Sequence, residues 1–453
     1  MVNRLKHRLC HILPALLAAL FAATAVPAQQ AASAPAQPVW SRNGVATPQA
    51  IALLRVLRGA ADYGLNPADY LGPPLGDPAP PGGSSAVVPG FDVALTAAAT
   101  QLLHDLHFGR VDPAAAGFDL PRTRPALDLP QLLDQLAAGH DTGAVLAAVE
   151  PQFIHYQLLK QALLHYRQLD AGSITPTPAE VKQAPYAPRI RQIELTLERW
   201  RWLPEFTAPP IIVNIPQFRL FAFRTLRDRR DDILQMDVIV GKTVPTTRTP
   251  VFMQDMKYLV FRPYWDVPYS ITRKEIIPSI RKKPGYLSKE RLELVDKAGK
   301  VVPESAESLT QLESGALRVR QTPGPDNSLG LIKFMLPNRY NVYLHSTPAH
   351  SLFNRAERAF SHGCIRVKDP VALAQHVLRD TPGDWSAAVL KSALEAGPDN
   401  TTVRLKTPIP VLIIYATALA QEDGSVLFFK DIYGHDAKLA QLLKLPAVTI
   451  ARP

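Results

Sequence analysis

Six consecutive residues, Ser361-His362-Gly363-Cys364-Ile365-Arg366, set a thiol beside a histidine and a positive charge, and Cys364 follows Tyr343-Leu344-His345 by nineteen residues. An ordinary cysteine, with a pKa of about 8.5, is only slightly ionised at neutral pH. A histidine within hydrogen-bond reach takes that proton and later returns it to a leaving amine. His345 suits the role, because it ends a predicted strand just before Ser346-Thr347-Pro348, where the chain turns. Gly363 precedes the thiol and is free to adopt positive φ, so N–H groups from His362 to Cys364 could form an oxyanion hole. If the segment is extended, Cys364 and Arg366 share a face, and the guanidinium there could grip a substrate carboxylate. The chain has two cysteines, and Cys10 lies in a segment read as removed, so Cys364 has no disulfide partner. Singly, each group has a plainer reading: Cys364 as a small buried apolar side chain, His345 as a strand-end residue, His362 as a carbonyl's partner, Arg366 as half of an ion pair. Together they point to nucleophilic catalysis.

The elements that must position these groups fall into two regions. Ile51, Leu54 and Leu57 recur at helical spacing, as do Leu95, Ala99, Leu102, Leu103 and Leu106 up to Gly109. One helix is expected across 130–150, another over Tyr156, Leu159, Leu163 and Tyr166, and a further one from Ile190 to Trp200, stopped by Pro204. From 208 the pattern becomes short β-branched or aromatic runs: Ile211–Ile215, Phe218–Phe223, Met236–Val240, Tyr258–Phe261 and Val342–Leu344. Thr272-Arg273-Lys274-Glu275 reads as a capping box inside an insertion at about 268–335, and Asp369-Pro370 starts a helix through Leu378. The fold class expected is α+β: an N-terminal helical scaffold followed by a mainly β domain with an insertion. The divisions are a signal peptide at 1–28, a disordered leader at 29–45, a helical scaffold at 46–170, and a Pro-rich connector with a helix at 171–205. The catalytic domain then spans 206–395, and a β-rich C-terminal segment 396–453.

Arg4, Lys6 and Arg8 precede an apolar run from Ile12 to Ala25, with small residues at the candidate cleavage points Ala25 and Ala28. An export signal is the expectation, and an uncleaved anchor the alternative. The formal charge of +10 over 453 residues is modest and spread along the chain. It suits an anionic envelope polymer, and export argues against nucleic acid. With 43 prolines, irregular connectors are expected between compact units.

The chain resembles the L,D-transpeptidases, the YkuD-type cysteine enzymes of bacterial peptidoglycan, and especially their large periplasmic branch. Besides the Ser361–Arg366 run, the resemblance lies in Tyr63-Gly64-Leu65-Asn66-Pro67, Leu106-His107-Phe108-Gly109-Arg110, Glu198–Pro204, Val238–Lys242, Arg262–Pro268 and Arg318–Gln321. Leu329-Gly330, Lys333-Phe334 and Pro337-Asn338 add to it. The peptidoglycan-binding helical module common in large members is replaced by the short connector 171–188. The resemblance implies Cys364 as nucleophile and His345 as base, oriented by the Ser346 carbonyl. Gly363 and His362 would support the site, and Tyr343, Trp265, Ser361 and Arg366 would line the substrate cleft. The resemblance to this family also implies a β-sandwich-like catalytic domain whose insertion caps the cleft, and no metal or cofactor.

The implied substrates are peptidoglycan stem peptides, a tetrapeptide donor and a diamino-acid acceptor, joined 3→3 through a thioester in the periplasm. Carbapenem acylation and association with cell-wall synthesis proteins fit the same picture. L,D-carboxypeptidase trimming, or attachment of a protein or D-amino acid to the stem, are the alternatives. A metal hydrolase using His345, His350, His362 and Cys364 lacks an HExxH motif, and a non-catalytic wall binder leaves the thiol unexplained.

Overall fold

The computed structural model describes residues 39–75, 86–121, 123–228 and 230–446; the export segment expected at 1–28 lies outside them. Local capping and apolar spacing build the helical region. Thr47 accepts the Ala50 N–H and Pro48 follows it, opening α1 (Pro48–Arg58), whose buried stripe is Leu53, Leu54 and Leu57. α2 (Phe91–Phe108) packs Leu95, Leu102 and Leu106 into the same core and stops at Gly109. The single helix expected across 130–150 is two, α3 (Leu129–Ala138) and α4 (Thr142–Val149). Gly139 turns the chain at φ 91°, and Asp141 caps the new start through the Ala144 N–H. Of the leader expected to be disordered at 29–45, residues 39–45 are ordered and 29–38 lie outside the described residues. Trp40 is fully buried and its indole N–H donates to Thr96 Oγ1 at 2.8 Å, a burial large enough to offset the ordering entropy.

Two further helices, α5 (Ile154–Asp170) and α6 (Ala187–Arg201), join this region to the sheet domain. Arg201 is fully buried; its guanidinium meets the Glu198 carboxylate at 3.3 Å and the Tyr156 hydroxyl at 3.2 Å. Glu198 also accepts the N–H groups of Arg110 and Val111, at 2.6 and 3.0 Å, so one carboxylate ties the end of α2 to α6. Gly109 allows that approach: at φ 80°, a Cβ there would lie 2.6 Å from Trp202 Nε1.

The sheet domain contains β1 (Ile211–Asn214), β2 (Arg219–Ala222), β3 (Leu234–Gly241) and β4 (Phe252–Phe261). A capping sheet follows, formed by β5 (Trp265–Asp266), β6 (Leu292–Val295), β7 (Val301–Val302) and β8 (Arg318–Gln321). The chain then returns through β9 (Ile332–Met335), β10 (Leu344–His345), β11 (Ala359–Ser361), β12 (Ile365–Val367) and β13 (Thr401–Ile414). Among the described residues nine strands form one sheet, ordered β11-β3-β12-β10-β9-β4-β13-β1-β2, and β2 also pairs with β3. The hydrogen-bonded path therefore closes on itself as a flattened, sandwich-like barrel. Its interior takes alternate residues such as Val213, Leu259, Phe334, Leu344, Ile365 and Val411.

Two expected boundaries move. β13 runs through the barrel between β4 and β1, so the C-terminal segment expected from 396 completes the sheet. Its Val411 and Ile413 face the barrel core, while Leu412 and Ile414 face α5 and α6. The insertion has its own sheet and core over 265–321, including Val267, Ile280, Leu294 and Val319. Ile332–Met335, expected at its end, pairs in the barrel instead. The capping box expected at Thr272 is not formed. Thr272–Ile276 is a π-helical turn, and Glu275 spends its carboxylate on His362.

The Glu198 knot should dominate scaffold stability. Glu198→Ala leaves the Arg201 cation buried without its carboxylate, and should cost about 3–5 kcal/mol in urea unfolding.

Candidate active site

Strand pairing assembles the predicted groups. β10 and β12 run parallel, with Leu344 opposite Ile365 and His345 opposite Arg366. Leu344, Ile365 and Val367 fill the barrel, so Tyr343, His345, Cys364 and Arg366 share the opposite face. His345 and Cys364 are diagonal neighbours on that face. Lys333 on β9 pairs with His345, so Lys333, His345 and Arg366 form a row across three strands.

The imidazole is fixed in one tautomer. Nδ1 lies 2.6 Å from the Ser346 carbonyl, which only accepts, so Nδ1 carries the proton and Nε2 keeps its lone pair. Ser346 is itself pinned: its hydroxyl accepts the N–H groups of Leu331 and Ile332 at 2.6 and 3.1 Å and donates to Leu329 O. Gly330, at φ 61°, leaves room for that hydroxyl where a Cβ would collide with it. Burial, then the Arg366 charge, lowers the His345 pKa to about 3, with Lys333 adding to the effect and the Ser346 and Leu329 carbonyls opposing it. The ring is neutral at physiological pH.

The Cys364 thiol is half-buried and directed at the Asn341 carbonyl at 3.7 Å, and among the described residues no hydrogen bond joins it to His345. Burial pushes the thiol pKa up, while hydrogen bonding from Tyr343 and the charges of Lys333 and Arg366 pull it down. At rest the pair is thus thiol and neutral imidazole, with Sγ on the Asn341 carbonyl. Arg366 is also desolvated, and its Nε is buried without a hydrogen-bond partner among the described residues. It is a cation awaiting an anion.

Other predicted residues take different parts. Ser361 is buried, and its hydroxyl accepts the Gly363 N–H at 3.1 Å and donates to Cys364 O at 2.5 Å. It braces the loop instead of lining a cleft, and it withdraws the Gly363 N–H from any oxyanion hole. Gly363 sits at φ 120°, as the tight loop requires. His362 Nε2 lies 2.7 Å from Glu275, linking the loop to the capping insertion. Trp265 turns toward the insertion's core, because strand alternation sends its neighbours Tyr264 and Asp266 to the cleft.

Four contributors were missed by sequence reasoning. Lys333 Nζ stands 4.0 Å from the Tyr343 ring centroid. Asn341, at φ 52°, offers the carbonyl that holds the thiol. Thr249 donates to Gly363 O and accepts the Gly241 N–H, both at 2.8 Å, and Tyr433 donates to Gly241 O at 2.6 Å. Lys333 lay within a quoted motif, where its register with His345 was the usable signal; Thr249 and Tyr433 carry none that is local.

Comparison with known families agrees with this architecture. Residues 32–163 match the model of a scaffold domain, and residues 209–403 match that of the L,D-transpeptidase catalytic domain (YkuD). A Haemophilus influenzae protein named "Putative L,D-transpeptidase" is 31% identical over 297 residues, which is 65% of this chain. The aligned part spans 58% of that relative's length. The chain thus carries a YkuD-type L,D-transpeptidase catalytic domain over residues 209–403, behind a scaffold domain over residues 32–163.

A neutral buried histidine makes stability depend on pH in a defined direction. The unfolded ring binds a proton below about pH 6.5 and the folded ring only near pH 3, so its contribution is complete above pH 6.5 and is lost as pH falls towards 3. His345→Gln should remove about one proton from the pH dependence of unfolding across that window, measured as the difference in slope between variant and parent.

Proposed function

We propose that this protein is a periplasmic peptidoglycan L,D-transpeptidase that forms 3→3 cross-links through a thioester on Cys364. The observation that carries the reading is the single face shared by Tyr343, His345, Cys364 and Arg366, with His345 held as the Nδ1–H tautomer by Ser346. In the first half-reaction His345 Nε2 accepts the thiol proton as Sγ attacks the carbonyl of the third stem residue. The S–C bond forms, the C–N bond to the terminal D-alanine breaks, and the proton passes to the departing amine. In the second, an amine of a neighbouring stem attacks the thioester. The new C–N bond forms, the S–C bond breaks, and His345 returns the amine's proton to sulfur.

The electrostatics favour charge that develops late. Arg366 and Lys333 face a neutral thiol and a neutral imidazole at rest, so their attraction grows only as negative charge appears on sulfur or on the tetrahedral oxygen. Tyr343 acts in the same direction, through hydrogen bonding to the sulfur. No helix among the described residues is long and apolar enough to cross a membrane. The periplasmic assignment rests on the N-terminal basic and apolar run.

Incubating the full chain with a carbapenem should add one adduct mass on Cys364, and Cys364→Ala should add none. With purified tetrapeptide muropeptide the parent should release D-alanine and yield cross-linked dimers. Tripeptide without dimers would instead make it an L,D-carboxypeptidase, and an unmodified Cys364 with no turnover would sink the acyl-transfer reading.

A further inference from the structure

A cleft of about 220 Å³ opens between the capping insertion and the barrel, on the side of His345 away from the Cys364 strand. Tyr264, Asp266, Arg318 and Arg320 line it from the insertion's side, and Lys333 and Asn400 from the barrel's. The lining charges are not equally free. Arg320 is held by Glu293 at 2.7 Å and lies over the Tyr264 ring at 4.1 Å, while Arg318 pairs with Asp266 at 2.9 Å in an exposed position. Lys333 has no carboxylate within ion-pair distance among the described residues, although burial costs its charge and lowers its pKa. Its ammonium instead stands over the Tyr343 ring, whose hydroxyl serves the Cys364 sulfur. A carboxylate taken up by Lys333 would therefore sit one side chain away from the reacting thiol.

The cleft also carries the opposite sign. Asp266, opposite Arg320 in the capping sheet, places a carboxylate on the same wall. Asp266 is already paired with Arg318, so the charge in this cleft left for a ligand is that of Lys333, and a carboxylate on the carbon that bears the attacking amine would meet it. Resting on the reading of Cys364 and His345 as acyl-transfer groups, we infer that this cleft is the acyl-acceptor subsite and that Lys333 selects acceptors with a free carboxylate beside the attacking amine. Neutralising that carboxylate removes the anion but leaves the amine able to attack, so the discrimination is one of charge.

The test uses the full chain, a tetrapeptide muropeptide as donor, and two acceptors that cannot themselves donate. These are a diaminopimelate tripeptide with its side-chain carboxylate free, and the same tripeptide with that carboxylate amidated. Cross-linked product should form with kcat/KM about tenfold or more higher for the free acid, the scale of one charge-assisted hydrogen bond. Lys333→Met should use the two acceptors about equally, and Lys333→Arg should keep the preference. Equal use of both acceptors by the parent chain overturns the inference while cross-linking itself stands, and it does so without relying on a variant that folds. Undiminished preference in Lys333→Met overturns the assignment to Lys333. Absence of any acyl-enzyme on Cys364 defeats the acyl-transfer reading and this inference with it.

Discussion

The site depends on one register: the parallel pairing that sets Leu344 against Ile365 inside a closed apolar barrel. Strand side chains alternate, so burying those two sends Tyr343, His345, Cys364 and Arg366 to the outer face together. A slip of one residue would put charged and polar groups into the core and expose leucine and isoleucine, so the fold's own stability polices the geometry. Both strands here are very short. Their alignment is enforced from outside, by Thr249 and Tyr433 beneath the signature loop and by Ser346 behind the histidine. The closed path of strands makes the constraint global, since β12 and β10 lie inside it without a free edge.

On this frame the electrostatics are arranged for change and not for rest. Two desolvated cations, Lys333 and Arg366, flank an imidazole and a thiol that are both neutral. Fixed positive groups around a neutral thiol favour negative charge that develops on it over the resting state. Burial is the main reason His345 resists protonation, and the same cations add to it. A charged imidazole would add a third positive group to a buried row. The capping insertion completes the enclosure, and Glu275 on its π-helical turn meets His362 two residues before the thiol.

Much of this was legible in the residue string, and the reasons for the rest are physical. The division into a helical region and a mainly β domain followed from hydrophobic spacing; the common face of Cys364 and Arg366 was expected for an extended segment, and His345 was read as a strand-end residue, without the register that sets it on that face. Ser346 was anticipated as the carbonyl that orients the ring. What the residue string did not show depended on local backbone geometry or on contacts distant in sequence. Ser361 was a cleft residue by family resemblance, but its hydroxyl is engaged within its own loop. Trp265 looked like a cleft aromatic, and only the alternation within its two-residue strand shows that it points the other way. Lys333, Thr249 and Tyr433 reach the site from other strands or from the C-terminal segment, so no local pattern marks them.

The central claim is that the free protein holds a neutral thiol, ionised with difficulty, beside a neutral histidine. Alkylation of Cys364 by iodoacetamide, followed by the mass of the Cys364 peptide across pH 5 to 10, addresses it directly. The rate should climb with pH along a single inflection above the ordinary thiol value of about 8.5, with no reactive plateau at low pH. A plateau of rapid alkylation persisting below pH 6 would reveal a preformed thiolate–imidazolium pair and contradict the account.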